Sequence, residues 1–185
     1  MTPEPEWVDL GLPSGMLWRN ANLGADTPEQ IGLYFSWGNT EGHAADAGYD
    51  FSQVNYDDSP AASISSDLDA THDAATVMLG ASCRMPSQQD FNELNNNCVS
   101  TWMRRNGVLG RLYVSNINGR SIFIPAIGYY DGTVRNAYEI EGRYWSNKYF
   151  SETNAIAFGE TANGVTVQAY GQRHYGYPIR PVRPA

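Results

Sequence analysis

The chain has 185 residues, enough for one domain with a substantial core, and its 42% hydrophobic and 17% charged content excludes a mainly disordered polypeptide. A formal net charge of −8 hides an asymmetry: residues 1–100 carry a balance of −13 and residues 101–185 one of +5, with Lys148 the only lysine. Overall repulsion, together with spaced rather than clustered arginines, excludes nucleic acid as a partner, and no apolar run reaches the length of a membrane span.

The opening "MTPEPEWVDL" lacks the basic-then-apolar order of a signal peptide. "WVDLGLPSGMLWRNANLG" reads as two short extended segments around a turn at Pro13, Ser14 and Gly15. In "TPEQIGLYFSWG", Thr27 as N-cap and Pro28 at the first helical position predict a helix kept short by Gly32, with Tyr34, Phe35 and Trp37 entering the core. Residues 39–66 form a long acidic loop anchored by Tyr49, Phe51, Val54, Tyr56 and Ile64, either an ordered functional loop or a flexible insertion. It lacks the ligand spacing of a calcium loop.

Two helices are predicted next. The first, in "LDATHDAATVMLG", turns Ala74, Ala75, Val77, Met78 and Leu79 to one face and ends at Gly80. The second begins at Ser87, where Asp90 completes a capping box, and aligns Phe91, Leu94 and Cys98. Cys83 and Cys98 have no ligand-spaced partner for zinc; they are either a disulfide pair or two buried thiols. Beyond Trp102 the pattern changes to short alternating strands, with hairpins around Asn118-Gly119 and Asn163-Gly164. Helices first and strands later predict an α+β fold in a single domain, residues 1–185.

Catalytic motifs are missing: there is no phosphate loop, no nucleophile elbow and no His-Glu-x-x-His. His43, His72 and His174 are far apart, and Glu139 with Glu141 reads as one solvated strand face rather than a glycosidase pair. Recognition chemistry is abundant instead. Eight of the 12 tyrosines fall within residues 129–177, interleaved with Asn, Gln, Asp and Arg. Tyrosine gives large contact area at low entropic cost and short polar side chains add adaptable hydrogen bonds. Tyrosine is also a good strand former, so several of the eight serve the core.

Six ordered stretches, "WVDLGLPSGMLW", "GLYFSWGNTEG", "CRMPSQQDFNELNNNC", "NGRSIFIPAIGYYDG", "GRYWSN" and "RHYGYPIRPVR", carry a resemblance over Trp7 to Arg183. The chain resembles the major paralogous domain family first described in Fibrobacter succinogenes and abundant in Bacteroidetes, which has a C-type-lectin-like fold. Cys83 departs from it, standing where the family usually has tryptophan. The resemblance implies N- and C-terminal strands paired in one sheet, with "YPIRPVR" lying near "WVDLGL", two helices beside it, and a ligand surface on a second small sheet. It is also similar to variable proteins of diversity-generating retroelements, whose diversified positions lie toward the C-terminus. On that basis Asn147, Tyr149, Asn154, Gln168, Tyr170, Gln172 and His174 are expected to face a ligand, with Trp145, Arg173 and Arg180 as scaffold.

The implied function is adhesin- or receptor-type binding of a protein or glycan on another cell, a host or a phage, at a cell surface, in secreted form or on a virion. The calcium-and-sugar signature of animal C-type lectins is absent, so no metal or cofactor is expected. Formylglycine-generating enzymes share the architecture but need a C-terminal reactive cysteine, and both cysteines here precede the strand-rich half. The alternative is a glycan-acting or formylglycine-generating-like enzyme on the same fold.

Overall fold

The computed structural model describes residues 6–185. β1 (Trp7–Val8) and β2 (Met16–Arg19) are joined by a turn in which the Gly15 N–H donates to Leu12 O at 2.9 Å, with Gly15 at φ 74°. The last strand, β13 (Val182–Pro184), is antiparallel to β2 and not to β1: Val182 lies opposite Trp18 and Arg183 opposite Leu17. The contact with the first strand is made by a side chain, as the Arg183 guanidinium lies 4.6 Å from the Trp7 ring. Pro178 and Pro181 fall before the strand, where their missing N–H groups break no ladder bond. The Pro181 carbonyl accepts from Arg19 N at 2.9 Å.

The helix expected after Thr27 does not form. The segment closes one turn, Gln30 N to Thr27 O at 3.2 Å, while the Gln30 side chain accepts from the Asp26 N–H. Gly32 then adopts φ 74° and the chain enters β3 (Leu33–Tyr34), paired with β4 (His43–Ala44). The cap and proline favour a helical start, but the left-handed glycine and the pairing of Leu33 stop propagation after one turn. Tyr34, Phe35 and Trp37 are fully buried, as expected.

The long loop is ordered. It contains β4, a short helix α1 (Gln53–Asp57) capped by Ser52, and a 3-10 turn at Pro60–Ser63. Tyr56 anchors it, buried and donating to Ala61 O at 3.0 Å, whereas Val54 is exposed. α2 (Ala74–Leu79) is shorter than the apolar run suggests: Ala74 and Ala75 are buried, but Val77 and Met78 face solvent. α3 (Gln88–Asn97) carries the expected capping box between Ser87 and Asp90 and buries Phe91 and Leu94. Cys98 ends that helix and opens β5 (Cys98–Arg105), which continues as a meander through β6 (Val108–Ser115) and β7 (Ser121–Pro125).

The hairpin β8 (Tyr129–Asp131) and β9 (Val134–Asn136) precedes the largest contribution to the C-terminal half. This is the antiparallel sheet of β10 (Glu141–Tyr149), β11 (Asn154–Thr161) and β12 (Gly164–Gln172). Thr161 pairs with Gly164, so the tip of the last hairpin is Ala162-Asn163, one residue earlier than the Asn-Gly signal suggests. The result is an α+β fold of short antiparallel sheets with few helices.

The β10–β12 sheet has core on both faces because neighbouring strand residues point oppositely. Tyr144 and Phe158 pack with Trp18, Phe91, Leu94 and Tyr113, and the Phe91 and Phe158 rings stack at 4.4 Å. Trp145, Ala155, Ala157 and Ala169 pack with Phe35, Trp37, Met85, Tyr177 and Ile179, and the Trp145 and Tyr177 rings stack at 4.1 Å.

Both cysteines are free and buried, which resolves the alternative left by their spacing. Burial pushes the Cys98 thiol up to about 11, far from a reactive thiolate. The native protein is therefore expected to resist aromatic disulfide reagents at neutral pH and to titrate two thiols only in denaturant. Rapid native-state labelling of Cys98 would contradict this packing.

Candidate functional site

A cleft of about 520 Å³ opens on one end of the β10–β12 sheet. Its floor follows from register. Arg143 of β10 lies opposite Gly159 of β11, and Gly159 lies opposite Thr166 of β12. A Cβ placed on buried Gly159 would meet Ala169 Cβ at 3.7 Å and Arg143 at 3.9 Å, so the floor admits a methyl group at ordinary contact distance between taller walls. The register shifts between Ala157 and Gly159, a bulge that re-aims the β12 side chains beside the cleft.

One wall is the Glu141–Arg143 ion pair, Nε to Oε2 at 3.1 Å. The opposite wall is a polar chain ending in aromatics. Gln88 Nε2 donates to Gln168 Oε1 at 2.9 Å, Gln168 Nε2 donates to the Tyr170 hydroxyl at 3.1 Å, and the Tyr170 ring lies 4.5 Å from Phe150. Tyr170 and Phe150 are 50% and 52% exposed, which makes them the aromatic rim of the site rather than core. Thr161, Asn163 and Thr166 add hydroxyl and amide groups, and Val165 and Ala169 add apolar surface.

Glu160 lies between Gly159 and Thr161 but faces the interior, where it accepts from the Tyr113 hydroxyl at 2.8 Å. Burial pushes its carboxyl up to about 8, opposed by the Tyr113 hydrogen bond and by the Arg111 and Arg180 charges. Arg111, also buried, donates to Thr161 O and Ser100 Oγ, tying the cleft strand to the β5–β6 layer beneath it.

The seven residues expected to face a ligand separate into four places. Gln168 and Tyr170 line the cleft. Asn154 and Gln172 are cross-strand partners at the other end of the same sheet. Asn147 and Tyr149 meet the long loop: Leu68 N donates to Asn147 O, and Tyr149 N donates to Asp67 Oδ1, both at 2.9 Å. The Tyr149 ring is half-buried against Trp37, 6.3 Å away, so it is partly a packing residue.

His174 is the least exposed of the seven. It is buried, its carbonyl accepts from Ser36 Oγ at 2.7 Å, its ring sits 4.8 Å from Tyr175, and burial lowers its pKa. The backbone turn at Gln172–Tyr175 leaves its ring largely buried, with Nε2 3.9 Å from the half-exposed Asp131 carboxylate.

Trp145, Arg173 and Arg180 are all buried. Arg173 stands 4.8 Å from the Trp37 ring and 5.5 Å from Tyr56, and donates to Ala61 O and Glu152 O. It thereby fastens the long loop to the β10–β11 turn. Glu139 and Glu141 do not share a strand face. Glu139 sits in a turn at φ 58° and pairs with Arg104 at 2.7 Å, whereas Glu141 pairs with Arg143. Among the described residues, no group of three or more His, Cys, Asp or Glu side chains is placed to hold a metal ion.

Arg143, Thr161, Asn163 and Thr166 were missed by sequence reasoning. Thr166 alternates with Gln168 and Tyr170 along β12 and carried that signal, whereas Arg143 comes from β10 and joins them only through the pairing of β10 and β12 with β11. Comparison of the chain with family models, with curated proteins and with solved structures finds no match.

Proposed function

We propose that this chain is a ligand-binding protein with a C-type-lectin-like fold, of adhesin or receptor type, and that it recognises its ligand through the β10–β12 cleft. The observation that carries the reading is the cleft itself, where a bare glycine floor is flanked by an ion pair, a glutamine–tyrosine chain and an exposed aromatic rim. A volume of about 520 Å³ suits one or two sugar units. Hydroxyl, amide and guanidinium groups match a sugar's hydroxyls, and Tyr170 offers a ring face. A glycan displayed on another surface is therefore the favoured ligand. Pairing of β2 with β13, α3 beside the C-terminal sheet, and a binding face on that sheet support the C-type-lectin-like reading.

Binding rather than catalysis is favoured because the Glu141 side chain is already engaged by Arg143. The retroelement-diversified subclass belongs to the same proposal. A reverse-transcriptase gene beside a near-copy of the segment encoding residues 142–182, differing at adenines, is its expected genomic mark.

The test is a glycan array followed by titration of the best ligand. Gly159→Val, which fills the floor, and Tyr170→Ala, which removes the rim, are each expected to weaken binding by tenfold or more. Tyr170→Ala should change stability by only about 0.5 kcal/mol because Tyr170 is half exposed, whereas Gly159→Val adds a branched side chain at a buried position and is expected to cost about 1–3 kcal/mol, so its binding is compared on protein shown to be folded. Unchanged binding by both variants would remove the cleft from the recognition surface.

A further inference from the structure

β5 lies at the edge of the β5–β6–β7 sheet and is paired on one side only. Its ladder with β6 runs without a bulge from Cys98 opposite Ser115 to Arg105 opposite Val108. Proteins blunt such edges with proline, lysine, bulges or very short strands. None of these devices occurs between Cys98 and Arg105.

Bonds elsewhere in the meander show which groups this edge exposes. Ser115 N donates to Arg120 O, and Leu109 O accepts from Ala126 N, so the odd-numbered residues of β6 bond towards β7. Its even-numbered residues bond towards β5, and Asn116 N continues the pattern by donating to Asn97 O. Those even-numbered residues stand opposite Val99, Thr101, Met103 and Arg105. The N–H and C=O groups of Ser100, Trp102 and Arg104 therefore point away from the sheet. Among the described residues, no hydrogen bond is made to any of these backbone groups. Apolar side chains flank them. Val99 is 61% exposed and lies opposite exposed Val114, while Trp102 and Met103 are half-buried on opposite faces of the strand.

We propose that β5 pairs with β5 of a second copy of this chain, antiparallel about a two-fold axis at Thr101, so that one sheet continues across both copies. Self-pairing is favoured over capture of another strand because β5 is complementary to itself. With Thr101 opposite Thr101, Ser100 faces Trp102, and the open N–H and C=O groups of both residues meet open partners. Val99 then lies opposite Met103, apolar against apolar. Charge agrees with this register. The arginines of the two copies stand at opposite ends of the new ladder, and Arg104 faces Cys98, the residue that ends the partner's α3. That helix end carries partial negative charge and has no basic residue in its last turn. Arg104 bonds Gly107 O and Glu139 through Nη1, which leaves Nη2 for the contact.

The contact is small. An edge ladder with few side chains falls short of the roughly 1,200–2,000 Å² of a stable interface, so dissociation at about 1–100 μM is expected. Arg111 joins β6 to the cleft strand at Thr161 O, so pairing through β5 carries two sheet clefts on one body.

Sedimentation velocity of the full chain from about 1 to 500 μM is expected to show a monomer–dimer equilibrium. Ser100→Pro removes an outward donor but no bond to β6, and Val99→Lys charges an exposed position. Both should keep the parent's far-UV spectrum and stay monomeric. Hydrogen exchange reads the register. The Ser100, Trp102 and Arg104 amides should gain protection as concentration rises, while those of Val99, Thr101 and Met103 are protected throughout. Across the axis the two Thr101 Cα atoms stand about 4.5 Å apart, within disulfide reach. Thr101→Cys should therefore oxidise to a covalent dimer while the buried native thiols stay reduced. Tyr170→Ala in the sheet cleft should dimerise as the parent does, which separates this contact from ligand recognition. A chain that stays monomeric throughout would overturn the proposal and leave the edge to a strand of another protein. Dimers that survive both Ser100→Pro and Val99→Lys, or a Thr101→Cys variant that never cross-links, would overturn it as well.

Discussion

Replacing Arg180 with alanine is expected to destabilise the protein by about 3–5 kcal/mol, measured as a shift in urea midpoint at unchanged slope. Arg180 is wholly buried, and its guanidinium gathers three separate segments of chain. Nε donates to Asn22 Oδ1 at 3.0 Å, Nη1 to Asn20 O at 2.7 Å, and Nη2 to Phe123 O at 3.0 Å. Alanine would leave these buried acceptors unpaired and open a cavity among the strand end after β2, β7 and the C-terminal segment. Lysine keeps the charge but cannot reproduce the planar fork, so Arg180→Lys should still cost roughly 2 kcal/mol. A loss below about 1 kcal/mol for Arg180→Ala would show that these segments hold together without it.

The second large effect is a pH dependence at Glu160. Its carboxyl is raised from 4.5 to about 8 chiefly by burial, so between those values the folded protein keeps a proton that the unfolded chain releases. Stability from this group is therefore greatest in acid, falls as pH rises from 4.5 to about 8, and is level beyond. Glu160→Gln mimics the protonated form and can still accept from the Tyr113 hydroxyl. The variant should match the parent near pH 5 and exceed it by about 2–4 kcal/mol near pH 9. Asp73, raised by the same cause, contributes to the parent's slope, but it cancels in the difference between the two proteins. An offset that is equal at both pH values would show that Glu160 is ionised throughout.

Much of the fold was legible because its signals are local. The Ser87–Asp90 capping box needs only residues within one helical turn, and it formed as read. The two hairpins, the second with its tip one residue before Asn163-Gly164, and the buried Tyr34, Phe35 and Trp37 were legible for a similar reason: turn chemistry and aromatic clustering act over a few residues. The failures are cases where a distant partner outweighed local preference. Thr27 and Pro28 announce a helix, yet Gly32 and the pairing of β3 with β4 end it after one turn. Val77 and Met78 continue the apolar run of α2, but no other element covers them, so they stay exposed.

The candidate site divides in the same way. Composition placed tyrosine, glutamine and asparagine in the C-terminal half, and Gln168 and Tyr170 do line the cleft. It did not identify Arg143, Thr161 or Thr166 as their neighbours, nor His174 as buried.

The sequence by itself determined the α+β class, the capped α3, the hairpin positions and a tyrosine-rich C-terminal half, since each follows from chemistry confined to a short stretch. Only the tertiary structure decided that β13 joins β2, that the pairing of β10 and β12 with β11 brings Gln168 and Tyr170 beside Arg143, and that His174 is largely buried. The reason is that strand register and bulge phase depend on which distant strand supplies the hydrogen bonds and covers each face, and one residue of slip reverses every side chain.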